Sequence, residues 1–188
     1  ASVKHKFGRD DLTGLRVSIQ GLGSVGYYLC EHLHKAGAKL VVTDLNQQAL
    51  DKVATEFGAE IVGLDEIYDQ DVDIYAPCAL GATINDNTIG RLKAKIIAGC
   101  ANNQLAESRH GQALLDADIL YAPDYVINAG GIINISFEND YCSEKATKKV
   151  TEIYETLLDV YQKADEQGKP TAVVADEIAR QIIANGGK

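Results

Sequence analysis

Methionine is missing from the whole chain, the first position included. The opening ASVKHKFG reads instead as the tail of a helix closed by Gly8, so these 188 residues are expected to be a segment of a longer polypeptide. Long apolar runs are missing too. None approaches the ~18 residues of a membrane span, and no signal peptide is visible, which makes the cytoplasm the expected compartment. Positive charge is scarce: 18 bases face 27 acids, the net charge is −9, and no basic cluster stands out. Phosphate-backbone binding needs concentrated Lys and Arg, so nucleic acid is not an expected partner. Cysteine is sparse and scattered, at Cys30, Cys78, Cys100 and Cys142, with no C-x-x-C. His32 and His34 point to different sides of a helix, so no metal site is expected. The cysteines read as small buried thiols of a reducing compartment.

What remains is ordinary in bulk and ordered in detail. Hydrophobic residues make up 46% and charged residues 24%, as in soluble globular proteins. A chain of this length buries roughly 70% of its unfolded surface, so its core needs no disulfides. Apolar runs and helical patterns alternate: strand 16–20, helix 24–37, strand 39–44, helix 46–57, strand 59–63, a short helix at 64–69 and strand 72–78. A helix at 84–93, strand 95–100, helix 107–116 and strand 118–123 follow. After Pro123 the pattern is helical only: a helix from Asn128, a long one over 143–167 and a last one after Pro170. In the long helix Val150, Ile153, Tyr154, Leu157, Leu158 and Tyr161 form one apolar stripe. The alternation predicts an α/β fold, a Rossmann-like, doubly wound and mostly parallel sheet with a C-terminal helical extension. We expect one domain over 1–188. It divides into a lead-in at 1–15, a βαβ core at 16–123 and a helical tail at 124–188.

The first strand, RVSIQ, runs straight into Gly21, Gly23 and Gly26 in a G-x-G-x-x-G spacing. Glycine at the start of a helix costs roughly 1 kcal/mol each, so something must approach this backbone closely. A strand before and a helix after are the context of a dinucleotide-binding turn. Gly21 allows the tight turn, Gly23 admits the pyrophosphate, and Gly26 lets helix and strand pack. Asp44 ends the second strand, 23 positions after Gly21, where it can accept from both ribose hydroxyls. Its charge repels a 2′-phosphate, and Leu45 and Asn46 supply no compensating Arg, so NAD is favoured over NADP. The alternative is a bare glycine turn with a solvated acid.

Three more segments end strands on the same edge: APCALG (76–81), AGCANNQL (98–105) and APDYVINAGG (122–131). Each is small and polar enough for a flat ring to lie close. Asn102, Asn103 and Asn128 both donate and accept, as a carboxamide or a carboxylate requires, although each alone serves equally as a turn or cap. A non-catalytic NAD(H)-sensing domain would share the glycine turn and Asp44 but has no evident need for ANNQL and NAGG.

Taken together, GLGSVG, KLVVTDLN, APCALGA, KAKIIAGCANNQL, RHGQALL and YAPDYVINAGGIIN resemble the cofactor domain of the glutamate/leucine/phenylalanine/valine dehydrogenase family. The resemblance runs over nearly the whole chain, and APDYVINAGG is far more specific than the glycine spacing. It implies reversible, NAD-dependent oxidative deamination of an L-amino acid to a 2-keto acid and ammonium. It also implies that Gly21, Gly23, Ser24, Val25 and Gly26 hold the pyrophosphate, with Asp44 and Leu45 at the adenosine ribose. Cys78, Ala79 and Leu80 would line the nicotinamide ribose. Ala101, Asn102 and Asn103 would lie near the nicotinamide, with Asn128 reaching it or the substrate. Leu157 and Val160 match positions that wall the substrate's side-chain pocket; core packing is the alternative for both. An apolar pair suits a branched-chain substrate better than glutamate, with phenylalanine- and valine-type chemistry left open. The family's catalytic lysine, a second substrate-carboxylate lysine and an acid come from an N-terminal domain not contained here. This chain is therefore expected to bind NAD without turnover, and the full-length protein to be a homo-oligomer.

Overall fold

The first strand is the axis of the structure, paired on both sides, with Val17 and Ile19 buried in one core. Our computed structural model describes residues 1–136 and 142–186. β1 (Arg16–Gln20) pairs in parallel with β2 (Lys39–Thr43) on one side and β4 (Ile74–Pro77) on the other. β3 (Glu60–Ile61) lies outside β2, and β5 (Ile96–Ile97) and β6 (Leu120–Tyr121) continue beyond β4. The order β3-β2-β1-β4-β5-β6 reverses direction between β1 and β4, and every pairing is parallel. That is the doubly wound sheet the alternation predicts. Ligands of such sheets bind where the order reverses, at the strands' C-terminal ends.

The period-2 alternation of a strand decides what covers each face. Val17, Ile19, Leu40, Val42, Ile74, Ala76 and Ile96 point to one side. There they meet Cys30 and Leu33 of α2 (Ser24–Lys35) and Leu50 and Val53 of α3 (Gln47–Phe57). Val41, Tyr75, Ile97 and Tyr121 point to the other, onto Ile67, Ile84 and Leu114 of the returning segments and α4 (Arg109–Asp116). The tail builds a third core. Leu157, Val160 and Tyr161 of α7 (Ser143–Gln167) and Ala175 of α8 (Thr171–Ala184) close on Ala122, just past β6. α1 (Ser2–Phe7) is tied to the same helix, with Ser2 Oγ and Tyr161 Oη hydrogen-bonded at 2.8 Å. Among the described residues, no helix is long and apolar enough to cross a membrane.

Three sequence expectations are corrected. The helix expected over 84–93 does not form; these residues make a parallel bridge from Ile84 to Leu105 and then a series of turns. The cause is side-chain competition for the backbone. Asn85 Oδ1 accepts from Asn87 N, and the Thr88 hydroxyl accepts from Asn85 N while donating to the Thr83 carbonyl. Next, the helix expected from Asn128 is two short pieces: α5 (Asp124–Ile127), capped by Asn128, and α6 (Gly130–Ser136). The remainder of that segment, 137–140, lies outside the described residues. Finally, the stripe on α7 is buried only from Leu157 onward, where the helix crosses Ala122 and Ala175. Before that point only Ala146 is buried, and Val150 and Tyr154 stay exposed.

Gly99, between β5 and its loop, is the tightest strand-to-strand contact. A Cβ there would sit 2.2 Å from the Pro77 carbonyl oxygen and 2.5 Å from Pro77 N. Backbone cannot swing aside as a side chain can, so Gly99→Ala must push β4 and β5 apart. Urea unfolding should report a loss of about 1–3 kcal/mol, the range for overpacked interiors; a neutral result would contradict this packing.

Candidate functional site

The glycine turn leaves β1 at the switch point, and each glycine has a different physical reason. Gly21 has φ +104°, in the left-handed region, and a Cβ on it would lie 2.6 Å from Ala79 Cβ. At Gly26 a Cβ would fall 2.1 Å from the Gly21 carbonyl oxygen, so only glycine lets α2 begin there. Gly23 meets nothing within 4 Å: the space over it is open. Gly23 is also the N-cap of α2, with no side-chain cap and no acid in the first turn. Among the described residues, the amides of Ser24, Val25 and Gly26 find no acceptor. Four unsatisfied donors are normal at a helix start, and with the positive end of the helix dipole they make an anion cradle.

Asp44 stands directly beside this cradle. Its Oδ2 accepts from Leu22 N at 2.5 Å and its Oδ1 from Asn46 N at 2.7 Å. Asn46 in turn caps α3, accepting from Gln48 N and Ala49 N. One carboxylate thus fixes the turn after β1 to the loop after β2. A carboxylate has about four lone-pair sites, so acceptor capacity remains for a ligand hydroxyl. Three apolar side chains around the cradle, Val25, Leu45 and Leu80, are 60%, 86% and 73% exposed.

The other three segments form one hydrogen-bonded assembly. Ala82 N donates to the Asn103 carbonyl at 2.7 Å, and Gly81 is so close to the next loop that a Cβ would lie 2.8 Å from the Asn102 carbonyl oxygen. Asn128 Nδ2 donates to Asn102 Oδ1 at 2.5 Å and to the Cys100 carbonyl at 3.5 Å. Ala82 and Asn103 both take positive φ, +57° and +52°, a strained choice for residues with a Cβ. Cys78 faces Gly26, where a Cβ would come within 3.6 Å of the Cys78 Cβ, and Ala101 is buried.

Two residues hold this assembly from beneath, and sequence reasoning did not single out the first of them. Gln104 is fully buried, and its Nε2 donates to the carbonyls of Gly99 and Ala101 at 2.8 and 2.9 Å. Asp124 Oδ2 accepts from Gln104 N at 3.0 Å, joining the loop after β6 to the loop after β5. Gln104 sits inside the quoted ANNQL, but nothing local marks a buried carboxamide. Leu157 and Val160 are 4% and 1% exposed, in the third core beneath Val126 and Ile127. They support the Asn128 loop from behind and present no open surface.

A further cluster gathers away from the cradle. The Glu107 amide donates to His110 Nδ1, which leaves Nε2 to carry the proton 3.2 Å from Asp86 Oδ1. Arg109 donates to both Asp86 and Glu107, and with His110 it holds the Asp86 carboxyl down to about 2. That charge is answered within the protein.

The sheet order and the glycine turn at its switch point define a Rossmann-like α/β fold. The chain belongs to the Glutamate/Leucine/Phenylalanine/Valine dehydrogenase family, whose sequence pattern matches residues 43–185. It is 52% identical over 186 residues to the leucine dehydrogenase of Bacillus cereus, covering 98% of this chain and 51% of that protein. A leucine dehydrogenase of Thermoactinomyces intermedius is 54% identical over 184 residues, or 97% of this chain and 50% of that protein. The crystal structure of L-tryptophan dehydrogenase from Nostoc punctiforme superposes with a TM-score of 0.94 at 48% identity, over 97% of this chain and 56% of that one. The chain spans about half the length of the curated relatives it matches.

The double tie of Asp44 makes it structural before any ligand arrives. Asp44→Ala should lower the unfolding free energy by about 1.5–3 kcal/mol without ligand, the range for hydrogen bonds to a charged group. Urea denaturation of both proteins checks it, and equal midpoints would refute the bridge.

Proposed function

We propose that this chain is the NAD-binding domain of a leucine-type amino-acid dehydrogenase, with the rest of the active site in the remainder of a longer polypeptide. One observation carries the reading: an uncapped helix start with open space over Gly23 and an acid beside it. The amides of the turn at Gly21, Gly23, Ser24, Val25 and Gly26 bind the pyrophosphate. Asp44 accepts from the adenosine ribose, and its charge disfavours a 2′-phosphate, so NAD is preferred to NADP. Val25 and Leu45, both largely exposed, give up their water to the cofactor. Cys78, Ala79, Leu80, Ala101, Asn102 and Asn103 flank the nicotinamide end. The Asn128 amide, steadied by Asn102 Oδ1, turns towards nicotinamide or substrate.

Bound NAD would supply an acceptor for the hydride of the substrate α-carbon, and with one water the oxidised substrate gives a 2-keto acid and ammonium. The part played by this chain is to position and orient the cofactor. Two features support the division of labour: half of each relative's length lies outside the matched region, and a lysine to activate water is expected from that half by family resemblance. The leucine dehydrogenases, at 50–54% identity against 48% for the tryptophan enzyme, support a branched-chain substrate. Assembly into a homo-oligomer belongs to the full-length protein in this reading.

Calorimetry with NAD tests it. The chain should release heat on NAD binding, Asp44→Ala should weaken that binding about 10- to 100-fold, and NADP should bind correspondingly worse. Absence of binding overturns the reading. Magnetisation transfer that reaches adenosine but not nicotinamide protons would point to a nucleotide sensor instead. Leucine oxidation should require the upstream half of the polypeptide; turnover by this chain alone would refute the division of labour.

A further inference from the structure

Two of the four cysteines, far apart in sequence, meet at the C-terminal edge of the sheet. β4 and β5 pair Ile74 with Ile96 and Tyr75 with Ile97, and the same offset carries Cys78 to Cys100. The chains are still joined past that point, where Ala101 N donates to the Pro77 carbonyl at 2.9 Å. The Cys100 thiol lies 3.9 Å from the Cys78 carbonyl oxygen, and both residues are half-buried. Cys30, by contrast, is fully buried.

We propose that Cys78 and Cys100 are a peroxide-oxidised thiol pair whose disulfide opposes cofactor binding. The two residues have unequal roles. The neighbouring Cys78 thiol brings Cys100 below the ordinary thiol range, whereas the same neighbour and burial push Cys78 up. Cys100 is therefore the sulfur that attacks and Cys78 the one that resolves. The Cys100 thiolate displaces hydroxide from hydrogen peroxide; the O–O bond breaks, and Cys100 becomes a sulfenic acid. Cys78 sulfur then attacks that sulfur, the S–O bond breaks, and the hydroxyl leaves as water with the Cys78 proton. In sum, two thiols and one peroxide give one disulfide and two waters. The pair of sulfurs loses two electrons and the peroxide gains them. Cys30, pushed up to about 12 by burial, takes no part.

The consequence follows from what the two residues touch. Ala79, next to Cys78, already rests on Gly21, and the Cys100 carbonyl receives Asn128 Nδ2. Drawing the sulfurs together moves both loops against the glycine turn and the Asn128 amide. This second part rests on the NAD reading; the disulfide does not.

The test is equimolar hydrogen peroxide on the chain, followed by a non-reducing tryptic map and calorimetry with NAD. Peptides 53–91 and 96–109 carry the two cysteines separately and should appear linked. Cys78→Ser should stop at a Cys100 sulfenic acid that a cyclic dione traps, and Cys100→Ser should leave Cys78 a thiol. The oxidised chain should bind NAD at least about tenfold more weakly and recover with dithiothreitol. Unlinked peptides, or Cys100 carried on to sulfinic acid in the unsubstituted chain, would overturn the pair. A linked chain with unchanged NAD affinity would overturn the consequence. If the reduced chain binds no NAD, the cofactor reading fails while the peptide map still decides the oxidation.

Discussion

The contact between the start of α2 and the Gly21 carbonyl governs the rest of the structure. At 2.1 Å from that oxygen there is no room for any carbon at position 26, so the helix can begin so close to β1 only on a glycine. Its start is then aimed at the strand ends and carries no capping side chain. Had a Ser or Asp capped it, the free amides would be satisfied internally and the anion cradle lost. The local cost of three glycines is offset by the burial of α2 against the sheet through Cys30 and Leu33.

Around that contact the loops are fixed in pairs. Asp44 ties the first turn to the second, Asn128 and Asp124 tie the last loop to the one after β5, and Gln104 sits beneath them. All of these ties end on backbone or on amide side chains. Such groups hold position while keeping acceptors and donors free on the outer side, as a binding surface requires.

Much of this was legible in the sequence, because the signals were local. Period-2 runs gave the strands in order, Asn46 and Gly58 bracket α3, and the spacing of Gly21, Gly23, Gly26 and Asp44 marked the turn and its acid. The segment 84–93 failed because its apolar spacing imitates a helix, while Asn85 and Thr88 spend their hydrogen bonds on the backbone instead. Half of the α7 stripe failed for a different reason. Periodicity defines a face, but only tertiary neighbours decide where along the helix that face is covered. Gln104 and the meeting of Cys78 with Cys100 were invisible for the same reason, since strand register brings them together across intervals that no sequence motif spans.

Ala82 and Asn103 show what kind of surface these loops are. Glycine would reach the same left-handed dihedrals with less strain, yet both positions carry a Cβ, and the Ala82 amide locks onto the Asn103 carbonyl. A side chain narrows the conformations open to the loop even when it raises the energy of the one adopted. The rim between the ends of β4 and β5 is thereby stiff before anything touches it, and a guest surrenders little of its affinity to freezing wandering segments.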